Sequence, residues 1–534
     1  MRQWMSSSAG VPPAGGEASR LPAAAGRRRS GRRGRRLYLP ALFLVATAAL
    51  GQVSESVTVE VIEVPVYVTA ADGTPIRGLP KDAFSLTVNG KPQTIDYFEE
   101  VDLRKPAPAQ PATQPSLHER RLYLLLFDLA FTRPGLIERA QQGADAAVQR
   151  SNPATDYFAV ATITHGAGVR FVIPFMNDYV AVRRAIATLQ SNDAKDPLGV
   201  GLSAKQRQKW AAEIESRAQG VPLAVGFRTG DPYIDEIIAG SEQNQELSRQ
   251  MLKDNVQREF SGLGTVAARL GALEGQKHVV IFSAGFDAHL FVDLGRGYNE
   301  DPQMHRYLRE MIAAFRGAGA FLDSIDVVGS RPADASESLR RIAEPTGGEL
   351  IRNQNDLGAA MARLTASHDA SYLLGFRRGG AAEGEIAVRV RGIPLDARVS
   401  YRTGFGKPAP HRDLDPLQLA DIVINDIPQN GLSLKLETTP KEIAILFRPA
   451  EIVAQLTPEK PYVEAMLYVF DEHGGTVLFR SKRLPFDARS APKAGLAGVR
   501  EKTKLPPGRY VVKALMHVAG TQSVGFARAD LIVP

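Results

Sequence analysis

The feature that most constrains the fold is an alternation of short apolar runs with helical segments between residues 122 and 367. Residues 122–127 are continuously apolar, as expected of a strand that is buried on both faces of a parallel sheet. A helix is predicted at residues 134–150, because Pro134 stands at its start and apolar residues then recur at helical spacing. Repeated strand–helix units predict an α/β fold, with helices on both faces of a doubly wound, mostly parallel sheet.

The same pattern continues along the chain, and only one stretch interrupts it. Further strands are predicted at 158–163, 169–173, 279–282, 321–328 and 350–351, and further helices at 178–189, 242–273, 304–316, 337–343 and 356–367. Residues 190–245 show weak periodicity, with turn residues at Asp196-Pro197 and Gly230-Asp231-Pro232. We interpret them as an insertion, and a loop of this length in a compact domain is usually functional or mobile.

Strand-like sequence lies on both sides of this domain, which is predicted to span residues 117–370. Residues 53–104 and 371–406 alternate apolar and polar side chains, and residues 105–116 form a Pro-rich linker. Because the two ends of an inserted domain lie close together, the two flanking stretches are expected to complete one β-sandwich. Residues 411–534 predict a separate C-terminal β-sandwich.

The positive charge of the chain is concentrated at its beginning. Residues 1–51 hold nine Arg and one acidic residue, Glu17, a local charge of +8. Since the whole chain carries +7, the remainder sums to −1. The basic composition therefore belongs to the leader rather than to a binding face, and nucleic acid is not expected as a partner.

Residues 1–51 are predicted to be a signal peptide or N-terminal leader. A basic stretch at 27–36 precedes an apolar run at 37–50, and the small residue Gly51 follows. That run is shorter than the roughly 20 residues that cross a bilayer as a helix. A secreted or periplasmic protein is expected, by the general or the twin-arginine route, since Arg35-Arg36 resembles a twin-arginine signal. An uncleaved leader that anchors the chain to the membrane stays open as the alternative.

The sequence contains none of the common catalytic motifs. There is no Cys, which excludes cysteine nucleophiles and zinc–thiolate sites. It also lacks a His-Glu-x-x-His pair, a Gly-Lys-Ser/Thr phosphate loop and a Gly-x-Ser-x-Gly elbow. The acidic residues Asp323 and Asp326 are expected to cap or solvate strand ends. No enzymatic activity is therefore predicted.

Several short segments carry a resemblance to a known family. They are Gly73-Thr74-Pro75-Ile76-Arg77-Gly78-Leu79, Asn89-Gly90-Lys91-Pro92-Gln93, Leu124-Leu125-Leu126-Phe127-Asp128, the run at 275–285, the run at 343–348, Ser371-Tyr372-Leu373-Leu374-Gly375-Phe376 and Tyr401-Arg402-Thr403-Gly404-Phe405. Their order resembles the bacterial, acidobacterial-type VWFA-related family, over residues 53–406. The resemblance implies a von Willebrand factor type A (VWA) domain, with ligands bound at the carboxyl ends of the sheet strands. The region at 418–534 lies outside it.

The resemblance also implies a place for a metal ion. In metal-competent relatives an Asp-x-Ser-x-Ser loop, a Thr and a later Asp hold Mg²⁺, a cation that prefers oxygen ligands. Here the loop is Asp128-Leu129-Ala130-Phe131-Thr132, so Asp128 and Thr132 keep an oxygen and Ala130 does not. The later Asp is replaced by Ala284, and Asp287 stands three residues further on.

Two interpretations of Asp128 remain. Asp128 and Thr132 bind Mg²⁺ weakly, or Asp128 accepts backbone N–H groups of the loop and no metal binds. The loss of two oxygens favours the second, a degenerate site without a cofactor. The function predicted is an exported, non-enzymatic protein that binds a protein or surface ligand. The alternatives are a Mg²⁺-dependent adhesion module, an envelope scaffold, and an unrecognised hydrolase with a site in the insertion or between domains.

Overall fold

The computed structural model describes residues 61–104, 119–164, 168–189, 232–293, 299–330, 336–379, 381–406, 413–486 and 495–534. The predicted leader at 1–51, the linker at 105–116 and residues 190–231 of the insertion lie outside these ranges. The described residues all belong to one unit, Val59–Pro534.

The strands and helices are numbered in chain order. The strands are β1 (Val61–Thr69), β2 (Phe84–Val88), β3 (Lys91–Gln93), β4 (Tyr97–Asp102), β5 (Arg121–Asp128), β6 (Asp156–Thr164), β7 (Gly168–Met176), β8 (Gln276–Ser283), β9 (Val292–Asp293), β10 (Asn299–Glu300), β11 (Ala320–Asp326), β12 (Leu350–Ile351), β13 (Ala370–Arg377), β14 (Gly384–Val390), β15 (Arg398–Tyr401), β16 (Gly404–Phe405), β17 (Leu434–Thr438), β18 (Glu442–Phe447), β19 (Tyr462–Phe470), β20 (Thr476–Pro485), β21 (Ala497–Lys502), β22 (Gly508–Val518) and β23 (Val524–Val533). The helices are α1 (Pro134–Arg150), α2 (Tyr179–Ala187), α3 (Pro232–Leu270), α4 (Pro302–Ala318), α5 (Glu337–Ala343), α6 (Leu357–Ser367), α7 (Pro416–Ile424) and α8 (Pro449–Val453). Among the described residues, no helix is both long and apolar enough to cross a membrane.

A six-stranded sheet forms the centre of the fold, in the order β12-β11-β8-β5-β6-β7. All neighbours pair in parallel except β7, which is antiparallel to β6. Counted within this sheet, the strand order is 3-2-1-4-5-6, the classical doubly wound arrangement. The predicted α/β fold class, with a doubly wound and mostly parallel sheet, is therefore confirmed.

Both faces of this sheet are covered, which explains the uninterrupted apolar run of β5. Leu122, Leu124 and Leu126 face the core under α3, α4 and α5. The intervening residues Tyr123, Leu125 and Phe127 face the core under α1, α2 and α6. A strand with two buried faces favours apolar side chains on both faces until it ends.

Two antiparallel sheets pack next to this domain around a shared core. Their orders are β15-β1-β13-β4 and β16-β14-β2-β3. Strands from before the central sheet pair here with strands from after it, β1 with β13 and β2 with β14. The chain therefore leaves the flanking sheets after β4 and returns to them at β13.

The C-terminal region is also built on two antiparallel sheets, β17-β18-β21 and β20-β19-β22-β23, around its own core. It begins with a helix, α7, where the sequence patterns indicated only strands. Asp415 caps this helix by accepting from Leu417 N at 2.7 Å, and Pro416 stands at its first position. Leu417 is buried in the core of the central domain, so α7 joins the two domains.

The helix predicted at residues 242–273 begins earlier, at Pro232, so the last residues of the stretch interpreted as an insertion at 190–245 are helical. The sequence interpretation took Gly230-Asp231-Pro232 for a turn. Pro is equally favoured at the first position of a helix, where its missing N–H costs no hydrogen bond.

Candidate functional site

The carboxyl ends of three neighbouring strands place polar side chains at one edge of the central sheet. Asp128 ends β5, Ser283 ends β8 and Asp326 ends β11. All three residues are buried. Because doubly wound sheets bind ligands beyond the carboxyl ends of their strands, this edge is the candidate site.

Asp128 is held by groups of its own domain. Its Oδ1 accepts from Ala130 N at 2.9 Å and Phe131 N at 3.0 Å. Its Oδ2 accepts from the Ser283 hydroxyl at 2.5 Å. Each carboxylate oxygen therefore has a donor, which is the arrangement expected of a loop-capping carboxylate.

Thr132 also makes a contact across the site rather than standing free in the loop. Its hydroxyl oxygen accepts from Ala284 N at 3.0 Å, which ties the loop after β5 to the loop after β8. Ala130 contributes a backbone N–H and no side-chain oxygen. Asp128, Thr132 and Ala284 thus meet at one place, but the role of Asp128 and Thr132 as metal ligands stays a prediction.

Asp287 belongs to a different turn. Its Oδ1 accepts from the backbone N of His289 at 2.9 Å and lies 2.8 Å from His289 Nδ1. More than half of the Asp287 side chain is exposed. The Asp287 carboxylate therefore stabilises a turn at the surface.

Glu259 adds a carboxyl group that the sequence patterns did not single out. It lies on α3, is only 3 % exposed, and its Oε2 has no hydrogen-bond partner among the described residues. Burial, followed by the charge of Asp128, raises the pKa of Glu259 well above its usual range. Burial therefore favours the neutral form of Glu259 unless a cation compensates its charge.

Two chemical states are consistent with these residues. Without a metal, the neutral form of Glu259 is favoured and both oxygens of Asp128 keep their hydrogen bonds. In the second state a hard cation binds, and Mg²⁺ and Mn²⁺ prefer oxygen, the ligand type that the carboxylates of Asp128 and Glu259 and the hydroxyls of Thr132 and Ser283 offer. The donor set is compatible with the second state, but that state requires Asp128 to exchange hydrogen bonds for metal contacts.

Comparisons with known proteins match this chain to solved structures only. No protein-family model and no curated protein matches the chain. Among solved structures, it is similar to an aerotolerance-related membrane protein from Bacteroides fragilis, at 11% identity over 46% of this chain and 98% of that chain, with a TM-score of 0.22. BatB from Bacteroides thetaiotaomicron follows at 10% identity over 46% and 98%, with a TM-score of 0.23.

A third similar structure is that of proximal thread matrix protein 1 from the mussel byssus with a zinc-occupied MIDAS motif. It is 14% identical over 49% of each chain, with a TM-score of 0.24. The fold class of this chain follows from the strand order of its own central sheet.

Proposed function

We propose that this chain is an exported, non-enzymatic binding protein whose protein or surface ligand docks at the carboxyl edge of the central sheet without a metal ion. The observation that supports metal independence is the hydrogen bonding of Asp128, both of whose oxygens have donors within the domain. Export is inferred from the basic and apolar leader. We also assign the chain to the bacterial VWFA-related proteins, on the motifs of residues 53–406.

The loops at this edge are held in place before any partner arrives. Arg139 on α1 donates to Val327 O at 3.1 Å and to Gln354 O at 2.7 Å. One guanidinium therefore fixes the loop after β11 to the loop after β12. Binding to a preorganised surface costs less conformational entropy, which suits these loops to recognition. Val328, in the first loop, exposes an apolar side chain at the edge.

The proposal is tested by site-specific photocrosslinking in the cells that make the protein. We expect p-benzoylphenylalanine at Val328 to yield a discrete crosslinked product, and the same group at Leu395 to yield none. Leu395 is fully exposed on the loop between β14 and β15, so it controls for simple exposure. The product should persist in EDTA.

Each other outcome contradicts part of the proposal. Equal products from Val328 and Leu395 would mean that the ligand does not dock specifically at this edge. No product from either residue would mean that the ligand docks elsewhere or that the protein is a purely structural scaffold. A product that EDTA abolishes and Mn²⁺ restores would show that docking depends on a metal.

A cation-dependent adhesion module is the second candidate, and Glu259 is the observation that favours it. A buried carboxyl that has an unpartnered oxygen, and whose pKa is raised by burial and by the charge of a second carboxylate, is the kind of group that a divalent cation stabilises. This candidate predicts saturable binding of Mg²⁺ or Mn²⁺ by calorimetric titration, weakened at least about tenfold by Glu259→Gln. Asp287→Asn is the matched control, because that carboxylate lies in a separate exposed turn. Absence of binding by the unmodified protein would eliminate the second candidate and leave the first.

A further inference from the structure

A second cluster of polar side chains lies within the same sheet, away from the carboxyl edge. His278 is near the start of β8, Asp323 is on β11, and His368 follows the end of α6. Each offers one ligand atom, and these atoms all lie within 4.8 Å of one another. All three residues are buried, in a region otherwise packed with aromatic rings such as Tyr67 and Phe321.

Each of the three side chains is oriented by a hydrogen bond on its other polar atom. The Tyr67 hydroxyl lies 3.1 Å from His278 Nε2, and the Tyr123 hydroxyl lies 3.2 Å from His368 Nδ1. The backbone N of Glu349 donates to Asp323 Oδ1 at 2.9 Å. The atoms that remain to hold an ion are His278 Nδ1, His368 Nε2 and Asp323 Oδ2. Metal-binding histidines and carboxylates are characteristically held by such outer hydrogen bonds.

The distance between two of the remaining atoms favours a metal over a direct contact. His278 Nδ1 and Asp323 Oδ2 are 3.4 Å apart, which is long for a charge-assisted hydrogen bond. Two ligands at about 2.0–2.1 Å from a tetrahedral zinc ion are separated by about 3.4 Å. Two imidazoles and one carboxylate are also a known zinc ligand set. We propose that His278, Asp323 and His368 bind a Zn²⁺ ion.

A cavity gives the ion an entry path and a free position. It has a volume of about 180 Å³ and is lined by Asp323 and His368, together with Tyr67 of the flanking sheet. Exposed residues such as Asp396 and Arg398 also line it, so it reaches the surface. The cavity exceeds the roughly 30 Å³ that one water molecule occupies in the liquid. Three protein ligands leave the fourth position of a tetrahedral ion for that water.

The charges around the cluster permit a cation. Arg121 is a buried cation whose guanidinium carbon lies 5.8 Å from the centre of the Tyr123 ring. Its charge is already paired with Asp156 at 2.7 Å and Asp369 at 2.9 Å.

The competing explanation is a structural network without metal. The rings of His278 and His368 stack with centroids 3.9 Å apart and planes inclined by 23°. Stacked rings point their nitrogens in nearly parallel directions, so binding one ion requires the two rings to turn toward each other. In the competing explanation they do not turn, and a proton shared between His278 and Asp323 replaces the ion.

The experiment is a titration of the chelator-treated full chain with Zn²⁺, read by calorimetry, and with Co²⁺, read by visible absorption. We expect one equivalent of Zn²⁺ to bind and Co²⁺ to give the intense visible bands of a four-coordinate site. His368→Gln and Asp323→Asn should each weaken this binding by about 100-fold or more. Tyr123→Phe, which keeps all three ligands, should weaken it about tenfold. His473→Gln, in an exposed turn, should leave it unchanged.

Two results would overturn the inference. One is that the unmodified protein binds no stoichiometric Zn²⁺. The other is that binding survives in Asp323→Asn and His368→Gln while His473→Gln abolishes it, which would indicate surface histidines. Tyr123→Phe keeps the test informative if a ligand variant fails to fold. The Co²⁺ spectrum of the unmodified protein requires no variant at all.

Discussion

Replacing Asp421 by Ala is expected to lower the free energy of unfolding by about 3–5 kcal/mol, because it leaves the charge of Arg120 buried without its partner. Arg120 is 1 % exposed and Asp421 is 4 % exposed. Their contact is bidentate, with Arg120 Nη2 at 2.6 Å from Asp421 Oδ1 and Nη1 at 3.2 Å from Oδ2. Asn425 Nδ2 also donates to Asp421 Oδ1, at 2.7 Å.

The pair links two domains that are far apart in sequence. Arg120 directly precedes β5 and lies with its guanidinium carbon 4.4 Å from the centre of the Tyr157 ring. Asp421 is on α7, the helix that begins the C-terminal region. Loss of the carboxylate is therefore expected to weaken the attachment of that region as well as the global stability.

Urea unfolding measures this effect, and an exposed ion pair provides the control. Arg183 and Asp145 form a pair with side chains 44% and 31% exposed, so Asp145→Ala should cost less than about 1 kcal/mol. The double variant Arg120→Met/Asp421→Leu should regain much of the loss, since two apolar side chains replace two buried charges. A loss below about 1 kcal/mol in Asp421→Ala would show that water reaches Arg120 and that the interface is not closed.

The sheet could be predicted from sequence because each of its strands carries a local signal. The apolar run at residues 122–127 predicts a strand with two buried faces, and Pro134 predicts the start of the helix after it. Hydrophobic periodicity and helix capping depend on residues that are close together in the chain, so a single sequence is enough to detect them. The strand–helix alternation and the handedness of crossover connections restrict the strand order to a few arrangements, and the structure shows which of them is adopted.

The side-chain clusters could not be predicted, because their members meet only through that strand order. His278, Asp323 and His368 are separated by 45 residues each time, and no motif spans such distances. Asp323 was expected to cap or solvate a strand end. That expectation is wrong, because Asp323 lies inside β11, on the side of Ile325, and faces His278. Asp326, which does end β11, accepts from Val328 N at 3.0 Å, as a capping residue does.

Glu259 and α7 show two other ways in which the local signal fails. An acidic residue in an amphipathic helix pattern ordinarily marks the solvated face, yet Glu259 is buried. The pattern of α7 is short and follows Asp415-Pro416, which equally suits a turn. In both cases the structure depends on tertiary contacts. These contacts form between residues that are distant in the chain, and no local pattern in a single sequence predicts them.

Replacing Asp128 by Ala is expected to lower the free energy of unfolding by about 2–4 kcal/mol, whether or not a metal is present. The substitution removes the acceptor for the backbone N–H groups of Ala130 and Phe131 and for the Ser283 hydroxyl. Buried donors that lose an anionic acceptor cost about 1–3 kcal/mol each, and partial relaxation of the loop recovers some of that cost. Urea unfolding in EDTA and in Mg²⁺ provides the measurement.

The difference between the two buffers decides what Asp128 does. For a loop-capping carboxylate, the loss in Asp128→Ala is the same in EDTA and in Mg²⁺, and Thr132→Val, which loses one acceptor for Ala284 N, costs about 1 kcal/mol in both. For a metal ligand, Mg²⁺ stabilises the unmodified protein but neither variant, since ligand binding adds stability only to the state that binds. A loss that grows in Mg²⁺ would therefore contradict metal-independent docking.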